Sequence, residues 1–147
     1  MVVDCLAIKT PKVKGHIGTH PDIMDSLLQW PGLSPTITCF AHVLAKHIKA
    51  WQGGLCPPVA RVGVFDSHGQ QRSVAVATVL FLCLQVGHPE VVFEAKLIHF
   101  GQWRWAAHTC GGMCAACCES LSPHFSRQSI VKARDVFALE LCAGCSQ

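Results

Sequence analysis

One stretch constrains this chain more than any other. Val59-Ala60-Arg61-Val62-Gly63-Val64-Phe65 is rich in β-branched residues, as an interior strand is, and seven residues suffice for one. It gives way to a polar run from Asp66 to Gln71 and then, from Arg72-Ser73, to an apolar stretch that Gly87-His88-Pro89 ends. Val74 to Val86 is interrupted by Gln85 and is too short to span a bilayer, so it reads as a core helix. The order is strand, tight loop, helix.

The flanking segments extend this pattern. Val2 to Ile8 is a short apolar run closed by Thr10-Pro11, which predicts an opening strand. Thr19 or His20 can cap a short helix with Pro21 in its first turn, and Pro31-Gly32 ends it. Phe40, Val43, Leu44, Ile48 and Trp51 recur at helical spacing between Thr38 and Gln52, and Gly53-Gly54 stops that helix. Val91 to Phe100 supplies the next expected strand, side by side with Val59 to Phe65 under the right-handed crossover rule. The expectation is an α/β fold over residues 1 to about 100, with a mostly parallel sheet flanked by helices. Residues 101–147 form a small cysteine-rich extension with a final helix from about Arg127 to Leu141.

Composition sets outer limits. A chain of 147 residues, half of them hydrophobic and 14% charged, can bury a real core without disulfides. A formal charge of +3 falls well short of a dedicated nucleic-acid binder. The amino end carries Asp4 where a secretory signal would carry a base, so the expected setting is cytoplasmic, with no membrane partner. In that setting the ten cysteines are expected to stay reduced.

The Asp66 loop lies where open α/β sheets collect ligands, beyond a strand's carboxyl end and before a helix amino end. Ser67, His68, Gly69, Gln70, Gln71, Arg72 and Ser73 are the candidate ligand-binding residues, with Asp66, Thr19 and His99 as additional ones. Gly69 lets backbone approach a ligand, Arg72 offers a fork to phosphate oxygens, and the serine hydroxyls add donors. The spacing from Asp66 to Ser73 is that of the cysteine-phosphatase signature, CxxGxxR followed by Ser or Thr, with Asp66 in the nucleophile's place. A carboxylate there would repel a dianion and can fold back on the loop amides, so no catalytic residue is assigned.

Val62-Gly63-Val64-Phe65-Asp66 together with Gly69-Gln70-Gln71-Arg72-Ser73-Val74-Ala75-Val76-Ala77 resembles the C-terminal domain of the RNase adapter protein RapZ. Val2-Val3-Asp4 resembles that family's opening strand, Gly18-Thr19-His20-Pro21 the turn before its first helix, and His99 a family histidine. The resemblance implies a non-catalytic module that binds a phosphorylated small molecule, a phosphosugar, or RNA. Homo-oligomerisation is compatible with it. Asp66 stands where the family has cysteine, Gln70 where it has a basic residue, Gln71 where it has histidine, and Leu6 where it has arginine. Each departure removes positive charge or adds negative charge. The alternatives are a degenerate structural or interaction protein stapled by zinc, and a phosphatase-like enzyme lacking the usual cysteine.

Six of the cysteines crowd between Cys110 and Cys145. Cys114 and Cys117 are spaced CxxC, as are Cys142 and Cys145, and two such pairs can direct four thiolates at one structural zinc ion. Cys110, Cys118 and His108 are alternate ligands. Gly111, Gly112 and Gly144 are expected to supply tight turns. Trp103-Arg104-Trp105 could stack on bases, but two tryptophans so spaced more often pack on a core.

Overall fold

The structure, a computed structural model, describes residues 1–9, 13–67, 69–85, 91–100, 102, 105, 108–119 and 128–146. Two short strands and five helices are built from these: β1 Val2–Asp4, α1 Pro21–Leu28, α2 Leu33–Gln52, β2 Gly63–Phe65, α3 Arg72–Leu84, α4 Ala115–Glu119 and α5 Gln128–Ser146.

β1 and β2 pair in parallel, Val3 opposite Val64. The ladder is carried one bond further at each end, by Gly63 N–H to the Met1 carbonyl and Cys5 N–H to the Phe65 carbonyl, both 3.0 Å. Because α1 and α2 form the connection between the two strands, the β1-to-β2 unit has the expected α/β alternation. The sheet stays small. Among the described residues, 91–100 form no strand beside β2, and only Val91 makes a bridge. A cavity of about 600 Å³ lies where that pairing was expected, with Leu44, Trp51, Val64, Leu80, Phe93 and Leu97 among its lining.

Helix starts and stops follow local chemistry. His20 Nδ1 accepts a hydrogen bond from the Asp22 N–H at 3.3 Å, capping α1 ahead of Pro21. α2 begins at Leu33, earlier than the apolar spacing indicates, since Pro35 sits within its first turn, where its missing N–H costs no helical bond. It ends at Gly53 as expected. α3 buries nearly every side, from Ser73 to Cys83, because it lies between the sheet and α5.

The last helix, expected within a small appendage, shares the main core. Ile130, Phe137 and Leu141 are buried in the same cluster as Phe40, Leu44 and Ile48 of α2 and Val76, Val79 and Leu82 of α3. Phe40 and Phe137 stack with ring centroids 5.5 Å apart. Gly144, expected in a turn, is helical in α5, and a Cβ there would lie 2.8 Å from that of Ala45. Its role is close helix contact. Among the described residues, no helix is long and apolar enough to cross a membrane.

Candidate metal centre

The second, smaller apolar cluster joins Ile17, Val74, Trp105 and Cys117, and so links the amino-terminal loop, the start of α3 and the cysteine segment. Its geometry begins with a parallel bridge between Gly15 and Thr109, next to which Cys110 N–H donates to the Gly15 carbonyl at 2.7 Å. That register sets His16 beside Cys110. Gly111 and Gly112 then turn the chain at φ of +60° and +85°, which favours glycine at both positions. The Gly111 N–H donates to Thr109 Oγ1, and the Met113 N–H to the Cys110 carbonyl, closing the turn. Cys114 follows directly, and α4 presents Cys117.

The result brings four donor atoms together, with none more than 4.8 Å from another. His16 Nδ1 lies 3.7 Å from Cys110 Sγ, 3.5 Å from Cys114 Sγ and 3.7 Å from Cys117 Sγ. Cys110 Sγ and Cys117 Sγ are 3.6 Å apart. A tetrahedral zinc ion with sulfur arms of about 2.3 Å and a nitrogen arm of about 2.0 Å would have edges of roughly 3.5 to 3.8 Å. The three nitrogen-to-sulfur distances and the Cys110 to Cys117 distance match edges of that polyhedron.

Protonation in the cluster is shared. Burial pushes the Cys110 thiol up, but hydrogen bonds from Gly112, Cys114 and Cys117 outweigh it and bring it down to about 6. Burial pushes Cys117 up to about 12, against the opposing pull of the Thr19 hydroxyl and the Ile17 amide. Of the two, Cys110 is the readier to lose its proton. A divalent cation would take the place of the retained protons.

Of the residues proposed for metal, Cys114, Cys117 and the alternate Cys110 belong to the group. Cys142 is not in the group: it is exposed on α5, which packs on α2. The Cys145 side chain lies outside the described residues. Of the other alternates, His108 is exposed in a turn, and Cys118 Sγ donates to the Gly112 carbonyl at 3.1 Å. The fourth member of the group, His16, was missed. Ninety-four positions separate it from Cys110, and the Gly15 to Thr109 bridge with its neighbouring hydrogen bond brings them together.

The loop from Asp66 to Ser73 has internal partners for most of its polar groups. The Asp66 carboxylate, whose side chain is 2% exposed, accepts hydrogen bonds from Gly69 N–H and, at 3.0 Å, from Ser73 N–H. These are the amides an anion would have met. Arg72 pairs with Asp66 at 3.9 Å, donates to the Leu6 carbonyl at 2.9 Å and the Ile8 carbonyl at 3.3 Å, and reaches Ser67 Oγ at 3.1 Å. Ser73 is buried, and His68 lies outside the described residues.

The loop is also fastened to the histidine-cysteine cluster. Gln71 Nε2 donates to the carbonyls of Val13 at 2.9 Å and His16 at 3.2 Å, while Gly18 N–H donates to the Gln70 carbonyl at 2.9 Å. Gly18 is needed for this approach, since a Cβ would stand 2.0 Å from the Gln71 carbonyl oxygen. Trp105, buried as a core residue, donates its indole N–H to the Gly69 carbonyl at 3.2 Å. Thr19 is buried beside Cys117, and His99 packs on Trp105 with centroids 4.9 Å apart. Trp103 and Arg104 lie outside the described residues.

No protein-family model, curated protein or solved structure matches the chain, and nothing in these comparisons identifies the RapZ C-terminal family.

Proposed function

We propose that this chain is a non-catalytic, metal-stapled module in which a structural zinc ion, held by His16, Cys110, Cys114 and Cys117, joins the amino-terminal loop to the cysteine segment. The observation that carries the reading is convergence: four donors from two distant stretches of chain stand at tetrahedral spacing. Three sulfurs and one imidazole favour zinc over harder cations, which prefer oxygen. A set of four protein ligands leaves no position for a reactive water. The function is then scaffolding, and what it scaffolds is the Asp66 loop.

Recognition of a phosphate, as the RapZ resemblance implies, would require the ligand to displace the Asp66 carboxylate from the Gly69 and Ser73 amides. That carboxylate already supplies the negative charge which a helix amino end favours. The geometry therefore favours the stapled structural module over the anion receptor.

Zinc analysis of the purified chain tests the proposal. The expected result is one zinc per chain, lost in His16→Ala and Cys117→Ala and kept in Cys142→Ser. A chain without zinc, or one that loses it in Cys142→Ser, would refute the assignment.

A further inference from the structure

The sulfurs of Cys110 and Cys117 stand 3.6 Å apart, and a disulfide requires about 2.05 Å, a movement that side-chain rotation and small backbone shifts can supply. The two differ in access. Cys110 is half-buried, whereas Cys117 is fully buried. An oxidant from solvent therefore reaches Cys110 before Cys117, and Cys117, in sulfur contact with it, stands behind as the resolving thiol. The same cluster is tied through His16 and its neighbours to Gln70 and Gln71 of the loop.

We propose that the centre is a redox-sensitive latch on the Asp66 to Ser73 loop, and that its substrate is a hydroperoxide. This rests on the zinc reading above. The Cys110 thiolate attacks a peroxide oxygen, breaking the O–O bond and giving a sulfenic acid and hydroxide. The Cys117 thiolate then displaces hydroxide from that sulfur, forming the S–S bond. With hydrogen peroxide, two thiolates lose two electrons, the peroxide gains them, and two hydroxides leave as water after protonation. Only His16 and Cys114 remain as ligands, too few to retain zinc. Once His16 is free, the segment carrying the Val13 and His16 carbonyls is held less firmly, and Gln71 loses a fixed partner.

The full-length zinc-loaded chain is titrated with hydrogen peroxide while zinc release, disulfide mapping and hydrogen exchange of residues 69–73 are followed. The zinc content before titration is measured separately. The latch predicts one zinc released per peroxide consumed and a Cys110 to Cys117 cross-link. It also predicts faster exchange at Gly69 and Ser73 by about tenfold, equivalent to about 1.4 kcal/mol of local opening. Cys110→His, which keeps a ligand but cannot form this bond, should hold its zinc at the same peroxide dose. Zinc absent at the start refutes the metal reading and the latch with it. Zinc present but retained under peroxide, a cross-link between Cys114 and Cys117 instead, or unchanged loop exchange overturns the latch and leaves the metal reading standing.

Discussion

Asp66 shows how one residue redirects a loop. In an otherwise phosphate-like frame, its carboxylate takes the two amides and sits against Arg72, so the turn satisfies itself. Asp66→Ala should destabilise the chain by about 1–3 kcal/mol, the cost of leaving buried donors unpaired, and expose amides to which inorganic phosphate can bind. Denaturant titration and phosphate calorimetry check this; unchanged stability would show the bonds to be dispensable. His99 offers a second test. Burial against Trp105 lowers its pKa below 6.5, so the unfolded chain takes up the proton first as pH falls. The contribution is complete above about pH 6.5 and shrinks as the solution becomes more acid. In thermal melts across pH 5 to 7, His99→Gln should flatten that part of the profile, and an unaltered slope would exclude His99 as its source. The carboxylate's inward fold was legible in the sequence as one of two outcomes, because the spacing to Gly69 and Ser73 is local. His16 was not legible as a member of the cluster: nothing within its own neighbourhood distinguishes it from the other histidines, and its partners arrive through long-range pairing.

At the scale of elements, local signals carried far. Pro21, Gly53 and the apolar runs placed α1, the end of α2, β2 and α3 close to where they stand, since caps and breakers act within a turn. The stretch from Val91 to Phe100 is the exception. Its β-branched content is compatible with a strand, but no ladder to β2 forms among the described residues, and propensity cannot supply the partner. Gly144 was legible as a glycine with a purpose, though not which one. Its partner Ala45 lies on another helix, and only the packing of α5 on α2 reveals the close contact. Gly144→Val should cost about 1–3 kcal/mol by forcing the two helices apart. A smaller loss, read from the urea midpoint, would mean that the helices adjust freely there.

Across the whole molecule, the histidine-cysteine cluster and the helical core hold different parts of the chain. The core packs α2, α3 and α5 around Phe40, Val79 and Phe137, while the second cluster gathers the amino-terminal loop, the start of α3 and the cysteine turn around Cys117. Cys114 and Cys117 were visible as a candidate ligand pair from their CxxC spacing, with Cys110 as an alternate, and the three lie together with His16. Cys142, expected to complete the set, stands exposed on α5, which packs on α2 within the helical core. X-ray absorption at the zinc edge tests the central claim most directly, because it counts ligands by element. Three sulfurs at about 2.3 Å and one nitrogen at about 2.0 Å are expected; a shell of four sulfurs, or of oxygen and nitrogen alone, would contradict the centre described by His16, Cys110, Cys114 and Cys117.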